Sequence, residues 1–500
     1  MDSTPSPSRL IIVSNRLPIV LDKDDRGAWT VKTGSGGLVT ALAPVLRNRG
    51  GLWIGWPGVT DQDTCELDEV IARETQGAGY TFKTVNLTDE EEDKFYRGFA
   101  NEIVWPLFHD FMSYCVFNPE YWETYKRVNS KFADKILENA VGDDFVWVHD
   151  YHLMYVAREI RKRGIKSKLA FYLHIPFPPL DIFVRLPWRF QILYALLDYD
   201  LIGFQTLRDR RNFIQCVRTL LKDVKISGGK GQVASARWNN REIGIGAFPI
   251  SIDYKEFEIL AESQQVGEAA WYIHEELPER QIILGVDRLD YTKGIPERIR
   301  AFARALRRYP ELKEARTTLV QVVVPSRRDI PKYIALKEEI EGLVGRINGE
   351  FTEAGYTPIH YIYRGLNRVE LLAYYRTCEI ALITPLKDGM NLVAKEFCAS
   401  DIEEHGVLIL SEFAGTAAQL SIGALMVNPH DIDGVADAIY EAFKMPDSER
   451  RSRMHKLRRS VRRNNIFLWV DSFLQSAISR SRDIFPIIED YVPKNDIFSS

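Results

Sequence analysis

Residues 380–396 read Ile380-Ala-Leu-Ile-Thr-Pro-Leu-Lys-Asp-Gly-Met-Asn-Leu-Val-Ala-Lys-Glu396. The first four residues form a continuous apolar run, the pattern of a buried parallel strand. Beyond Pro385 the pattern turns helical, and the first N–H groups of that helix, around Met390 to Val393, have no partner inside it. Such a helix start attracts anions, because the free N–H groups and the helix dipole point the same way. Gly389 lets a ligand approach the backbone. Asp388 and Glu396 bracket the anion position with carboxylates. This combination suits a sugar nucleotide, with diphosphate on the backbone and ribose and hexose hydroxyls on the acids. Other phosphorylated ligands fit the same residues.

Outward from this stretch, apolar runs alternate with helical patterns. Downstream of residue 249, strands are expected at 282–286, 318–324, 359–363, 380–383, 407–410 and 425–427. The helical pattern at 296–309 puts Ile299, Phe302, Ala303 and Leu306 on one apolar face. Upstream, strands are expected at 10–13, 145–148, 169–173 and 201–204. The alternation predicts an α/β chain of two doubly wound, Rossmann-like parallel-sheet domains. Five hundred residues are also too many for one core. Phe248-Pro249 reads as the crossing between domains spanning 9–248 and 249–470. Residues 1–8 read as a disordered tail carrying Thr4-Pro5 and Ser6-Pro7, and 471–500 as a C-terminal helix crossing back to the first domain, plus a tail. A ligand is expected in the cleft between the domains.

Composition narrows the classes. Apolar content of 45% and charged content of 27% are ordinary for a globular protein. A net charge of −4 argues against bulk nucleic-acid binding. The apolar runs are too short for a membrane span, and the N-terminus lacks the basic and apolar regions of a signal peptide. Five scattered cysteines without a C-x-x-C read as reduced thiols of a cytoplasmic protein.

Four further post-strand loops carry polar residues that packing does not require. In Asp287-Arg-Leu-Asp-Tyr-Thr-Lys-Gly294, Arg288 offers a planar fork and Lys293 a point charge to phosphate oxygens. An exposed salt-bridged loop is the bland reading, disfavoured because this loop shares a domain with residues 385–396. Arg327 and Arg328 follow another strand and could reach a second phosphate. Asp150 and His174 end neighbouring strands, and Pro176, Pro178 and Pro179 stiffen the loop after His174. Arg16 lies in Ser14-Asn-Arg-Leu-Pro18 at the first strand's exit, followed by the glycine turn Gly34-Ser-Gly-Gly37. Trp53-Ile-Gly-Trp56 offers rings suited to a sugar face, with core packing as a serious competitor.

Four patterns are set aside. Residues 229–234 match G-x-G-x-x-G/A, but no helical pattern follows, which disfavours a nicotinamide-nucleotide oxidoreductase. Asp198-Tyr-Asp200 resembles a D-x-D metal site yet immediately precedes a buried strand. His149-x-x-His152 lacks a third metal ligand. The basic run 450–463 reads as a helix with Met454, Leu457 and Val461 on its inner face and its cations elsewhere.

Together these loops resemble glycosyltransferase family 20, the retaining trehalose-6-phosphate synthases of the GT-B fold, in which two Rossmann-like domains face a deep cleft. The resemblance runs through Ile12-Val-Ser-Asn-Arg16, Gly36-Gly-Leu, Gly51–Trp56, Trp147–Leu153, Leu173–Pro178, Arg288–Gly294 and Asp388–Glu396, in family order over most of residues 9–490. The length resembles the single-function fungal form. The resemblance implies UDP-glucose as donor, glucose 6-phosphate as acceptor, and α,α-trehalose 6-phosphate and UDP as products. It implies a diphosphate held by Arg288, Lys293 and the loop Asp388, Gly389, Met390, Asn391, Leu392, Val393, with Glu396 on the ribose and Leu366 on the uracil. It places Gly36 in the turn closing over the ligands and His174 near the donor sugar. Arg16, Trp53, Tyr96, Trp105, Asp150 and Arg327 are the acceptor-side residues, with Arg16 and Arg327 on the 6-phosphate. His174, Arg288, Lys293 and Asp388 are the expected catalytic set. No metal or cofactor is expected. Expected partners are a second copy of the chain, in a homo-oligomer such as a tetramer, and a complex with trehalose-6-phosphate phosphatase and regulatory subunits. Neither nucleic acid nor membrane is expected. A non-catalytic sugar-phosphate-sensing subunit of the same fold is the alternative.

Overall fold

Both sheets are built from the apolar runs read above, and their strand order decides where ligands can sit. The structure is a computed structural model and describes residues 9–23, 29–33, 42, 46, 51–60, 64–77, 79–142, 144–164, 167–228, 231, 233–276, 281–327, 330–478 and 489–493. Gly36 with its turn 34–37, Arg328, and the tail 1–8 with Thr4 and Ser6 lie outside the described residues. The chain divides into two compact units, Met1–Ile250 with Phe467–Ile487, and Ser251–Ile466 with Ile488–Ser500. The changeovers fall at Ile250/Ser251 and Phe467, where the sequence reading put 248/249 and 471.

Among the described residues, strands of the first unit are β1 (Leu10–Arg16), β2 (Ile19–Lys23), β3 (Trp29–Thr33), β4 (Leu52–Trp56), β5 (Thr81–Thr84) and β6 (Phe145–His149). They continue with β7 (Lys168–Tyr172), β8 (Leu201–Phe204), β9 (Lys225–Ser227), β10 (Val233–Trp238) and β11 (Arg241–Ala247). The main sheet runs β5-β4-β1-β6-β7-β8-β11-β10-β9, parallel from β5 through β11 and antiparallel beyond; β2 and β3 form a separate hairpin.

The second unit holds β12 (Ile282–Arg288), β13 (Thr318–Val324), β14 (Ile359–Ile362), β15 (Ile380–Ile383), β16 (Val407–Ser411) and β17 (Leu425–Val427). They run β14-β13-β12-β15-β16-β17, all parallel.

In the order in which each sheet's first six parallel strands occur along the chain, both read 3-2-1-4-5-6, the doubly wound order of Rossmann folds. In each, strand order reverses beside the first strand, and ligands bind open α/β sheets outside the carboxyl ends at that switch point. The reversal lies between β1 and β6 in the first unit and between β12 and β15 in the second.

Burial follows the sequence. In β1 the first six residues are buried and Arg16 emerges; in β12 the apolar run is buried and Arg288 emerges. The second unit's core gathers Ile282, Leu284, Val320, Val322, Ile383, Leu408 and Leu410 under helical Phe397 and Leu457.

Several elements were not expected. Leu52–Trp56 is a fully buried strand rather than an aromatic loop. Residues 233–247 form an antiparallel pair, so the glycine pattern at 229–234 leads into a strand. Glu92–Val104 is a π-helix, a form concentrated at functional sites. The D-x-D carboxylates are held by arginines: Arg158 lies 3.1 Å from Asp198, and Arg161 and Arg241 lie 2.9 and 2.7 Å from Asp200. The basic helix Asp447–Arg463 buries Met454, Leu457 and Val461 as read, but also Arg450 and Arg458, whose guanidinium groups satisfy the carbonyls of Ala442, Met445, Ala399 and Asp401. Among the described residues no helix is long and apolar enough to cross a membrane.

Candidate active site

In the second unit, the polar residues collect at the switch point. Arg288 stands exposed at the end of β12, with no ion-pair or hydrogen-bond partner among the described residues. The chain then makes a short 3-10 turn, Tyr291–Lys293, with the Asp290 side chain accepting from the Thr292 N–H at 3.0 Å. Gly294 follows at φ +63°, where a Cβ would lie 2.5 Å from the Thr384 carbonyl oxygen. Glycine therefore lets this turn pack against the start of the loop after β15. The Leu386 N–H donates to the Thr292 carbonyl at 2.8 Å, fastening the two loops. Across that seam Lys293 Nζ lies 2.6 Å from Asp388 Oδ2, with only 13% and 14% of the two side chains exposed.

The loop after β15 is fixed from both sides. Asn391, at φ +85°, accepts the Ala394 N–H at 3.0 Å as N-cap of the helix Leu392–Ser400, and its Nδ2 donates to Asp388 Oδ2 at 3.2 Å. Met390 accepts from the Thr416 N–H at 2.9 Å. Gly415 lies so close that a Cβ there would stand 1.9 Å from the Gly389 carbonyl oxygen. The N–H groups of Met390, Leu392 and Val393 meet no acceptor among the described residues. The helix start expected from the sequence is thus formed with free N–H groups, and Lys293 reaches its loop through Asp388.

One turn into that helix, Glu396 accepts from the Tyr375 hydroxyl at 3.0 Å, and burial raises its carboxyl above the usual range despite that bond. Leu366 lies partly buried before the N-capped helix Arg368–Thr377. Arg327, at φ +48°, is turned inward: its Nη1 lies 3.2 Å from Asp290 Oδ2 and also donates to the Tyr333 hydroxyl, and 6% of the side chain is exposed. Burial works to raise the Asp290 pKa, but Arg327, Lys293 and Arg288 outweigh it and hold the carboxylate ionised.

In the first unit, Arg16 leaves the end of β1 with its guanidinium 3.9 Å from the centre of the Trp56 ring and 5.6 Å from that of Tyr96. Such stacking holds a cation in place without neutralising it. Gly58 makes room, since a Cβ there would fall 1.8 Å from Arg16 Nη1. Tyr96 comes from the π-helix and stacks on His152 at 5.9 Å. Trp105, the first residue after the π-helix, is buried against His109 and Tyr151.

Trp53 corrects the sequence reading. It is fully buried and its Nε1 donates to Ser14 Oγ at 2.7 Å, so its ring packs in the sheet and offers no face to a sugar. The aromatic partner of Arg16 is Trp56, its neighbour in register across the sheet. Pairing the Gly51–Trp56 run with residues 10–16 as parallel strands would have singled it out.

At the switch point itself, Asp150 follows β6 at φ +74°, ψ 167°, a region that side chains other than glycine's rarely allow. Its Oδ1 accepts the His174 N–H at 3.1 Å. His174 Nε2 lies 3.0 Å from His149 Nδ1, and its Nδ1 lies 3.4 Å from Gln205 Nε2. Burial pushes His174 down to about 3 and His149 well below its ordinary value, so both rings are neutral at physiological pH. Both ring nitrogens of His174 are thus engaged inside the fold, and a neutral imidazole there is no acid. Gln205 and Tyr375 carried no signal in the sequence, since each lies outside the quoted motifs; Asp290 lies inside the 287–294 loop but was passed over beside Arg288 and Lys293.

The profile of glycosyltransferase family 20 matches residues 8–479. A trehalose-6-phosphate synthase of Mycolicibacterium vanbaalenii is 40% identical over 476 residues, covering 94% of this chain and 96% of that protein. One from Mycobacterium leprae is 41% identical over 473 residues, covering 94% of each. Among solved structures, a UDP-forming α,α-trehalose-phosphate synthase of Burkholderia xenovorans, in complex with glucose-6-phosphate, superposes with a TM-score of 0.83 at 35% identity, over 94% of this chain and 100% of that one. An E. coli structure bound with UDP-2-fluoro glucose gives 0.84 at 35% identity, over 95% and 100%.

Proposed function

Because this chain belongs to glycosyltransferase family 20, we propose that it is a UDP-forming synthase, transferring glucose from UDP-glucose to glucose 6-phosphate with retention to give α,α-trehalose 6-phosphate. The observation that carries this reading is the second unit's switch point. Lys293 meets the helix-start loop there through Asp388, Arg288 ends the adjacent strand β12, and Glu396 lies one turn into the helix. The ligands of the Burkholderia xenovorans and E. coli relatives support the choice of acceptor and donor.

Cleavage of the glycosidic bond leaves negative charge on the departing diphosphate. Fixed cations and N–H groups stabilise that charge more in the transition state than in the ground state, which is what accelerates the step. With two cations and a helix start in place, the leaving group needs no metal in our reading. Asp388, already on Lys293, holds the transferred glucose. Glu396 holds ribose and Leu366 the uracil. Arg16, stacked on Trp56 and Tyr96, takes the acceptor phosphate, with Asp150 and Trp105 on its sugar. Arg327 serves the same phosphate by turning from Asp290. His174, its ring nitrogens held by His149 and Gln205, borders the donor sugar. The acceptor hydroxyl attacks from the face the diphosphate leaves and passes its proton to that leaving group. We further propose a cytoplasmic homo-oligomer, a tetramer, that joins a trehalose-6-phosphate phosphatase and regulatory subunits.

The test is incubation with UDP-glucose and glucose 6-phosphate, following UDP and a non-reducing disaccharide phosphate, with and without EDTA. Equal UDP release in both arms is expected. Glucose 6-phosphate binding without any UDP release would instead make the chain a sensing subunit. Loss of activity in EDTA, restored by a divalent ion, would refute the metal-free mechanism.

A further inference from the structure

The second unit's ligand loops are wired from below by one buried arginine. Arg298 lies on the helix Ile295–Arg308, and none of its side chain reaches solvent. Its guanidinium makes four contacts. Nη1 lies 2.5 Å from Asp287 Oδ2, next to Arg288 at the end of β12, and donates to Gln321 Oε1 of β13 at 3.2 Å. Nε donates to Thr384 Oγ1, the first residue after β15, at 3.2 Å. Nη2 reaches the Lys293 carbonyl at 3.4 Å.

Each contact belongs to a different segment that carries or precedes a ligand residue. Space for the group is built into the sheet: a Cβ on Gly285 would stand 2.7 Å from Arg298 Nη1 and 2.5 Å from Gln321 Oε1. Gln321 is oriented in turn, its Nε2 donating to the Gly285 and Val322 carbonyls at 3.2 Å. A buried charge is costly unless paired and hydrogen-bonded, and here Asp287 supplies the opposite charge. An aliphatic side chain would fill the same space without linking β12, β13, the Lys293 turn and the loop after β15.

We infer that Arg298 is a positioning residue for the transfer step, fixing the Lys293 turn against the 384–388 loop so that Lys293 stays in place as charge develops on the leaving group. Arg298 touches no substrate. Its effect passes through the Lys293 carbonyl and Thr384. A displacement of about 1 Å at such a site costs on the order of a hundredfold in rate.

This inference depends on the synthase reading, so the experiment first establishes that the wild-type chain releases UDP. No turnover by wild type would sink that reading and leave the inference to be judged by UDP affinity, measured by calorimetry on each variant. The variants are Arg298→Lys, which keeps the charge but cannot span the four contacts, and Thr384→Val, which removes one acceptor at constant shape. The control is Arg450→Lys, another buried arginine holding carbonyls, away from these loops. Arg298→Lys is expected to lower kcat by roughly tenfold to a hundredfold and weaken UDP binding, with KM for glucose 6-phosphate unchanged. Thr384→Val should show the same pattern at several-fold, and Arg450→Lys should lose thermal stability only. Should Arg298→Lys fail to fold, Thr384→Val decides alone. Wild-type kcat and UDP affinity in Thr384→Val would overturn the inference. So would a loss in Arg298→Lys that Arg450→Lys reproduces at equal melting temperature.

Discussion

Replacing Lys293 by alanine isolates the electrostatic part of the mechanism. Lys293 Nζ stands 2.6 Å from Asp388 Oδ2 in a site where about one-seventh of each side chain is exposed. A phosphate oxygen bound at the same helix start would sit near the ammonium. At about 4 Å and an effective dielectric near 20, unit charges attract by roughly 4 kcal/mol. Removing the ammonium therefore removes up to that amount from a transition state in which a full charge is forming. It also leaves Asp388 facing the diphosphate with its charge uncompensated, so the loss is not softened. At about 1.36 kcal/mol per decade, kcat/KM for UDP-glucose falls on the order of a thousandfold.

The assay is initial-rate UDP release at saturating glucose 6-phosphate, with melting curves to confirm folding. Asp388→Asn in the Lys293→Ala background removes the stranded charge and should recover part of the lost UDP affinity. This non-additivity is the signature of two residues acting on one ligand. A folded Lys293→Ala protein with kcat/KM within tenfold of wild type would refute the reasoning, because no screened geometry at this burial reduces the interaction that far.

Four further outcomes follow from the geometry. Asp150→Ala keeps the strained backbone at φ +74° and loses the bond to His174, so it should be about 1–2 kcal/mol less stable than Asp150→Gly, with both losing activity; equal urea midpoints would show the backbone is unstrained. Trp56→Leu removes the ring under Arg16 and should raise KM for glucose 6-phosphate about tenfold, whereas Trp53→Phe should lower stability and leave KM alone; the reverse pattern would restore Trp53 as the ligand residue. His174 has its folded pKa lowered to about 3, against roughly 6.5 unfolded. The unfolded chain then binds more protons through that window, so the neutral histidine's contribution is fully present above about pH 6.5 and is lost as pH falls toward 3. Urea titrations from pH 7 to 4 should accordingly show a shallower decline for His174→Asn than for wild type. Gly415→Ala drives a methyl into the Gly389 carbonyl, and should weaken UDP binding at least tenfold by calorimetry while glucose 6-phosphate binding persists.

Most parallel strands were legible because their runs are apolar on both faces, and Leu201–Phe204, Thr318–Val324 and Ile380–Ile383 fall at the residues read, whereas Leu52–Trp56, Thr81–Thr84 and Arg241–Ala247 were not read as strands. Arg288, Lys293 and Asp388 read as candidates because they are charged side chains in post-strand loops, and the structure pairs Lys293 with Asp388. What escaped was whatever depends on a neighbour in space. Trp53 and Trp56 look alike in sequence, and only the pairing of Arg16 with Trp56 across β1 and β4 separates ring in core from ring under guanidinium. Arg327 reads as a free cation until Asp290 and Tyr333 are seen around it. Arg298 reads as one more polar residue on an amphipathic helix, and only the missing Cβ of Gly285 reveals the space made for it.

The two units share no repeat visible in sequence, yet they put the same kind of residue at the same address. Arg16 ends the first strand of one sheet and Arg288 the first strand of the other, each as the sole exposed residue after a buried run. Asp150 follows the fourth parallel strand of one sheet, and the loop bearing Asp388 follows the fourth of the other. The switch point explains the coincidence. Strand order reverses there, so the connections on either side lead away from each other and leave the carboxyl ends of two adjacent strands open. A cation on one end and a carboxylate after the next are then the shortest route to a site that grips a phosphate and a sugar hydroxyl together. Both substrates of the proposed reaction are sugar phosphates, and one topological address, used once in each unit, meets the needs of both.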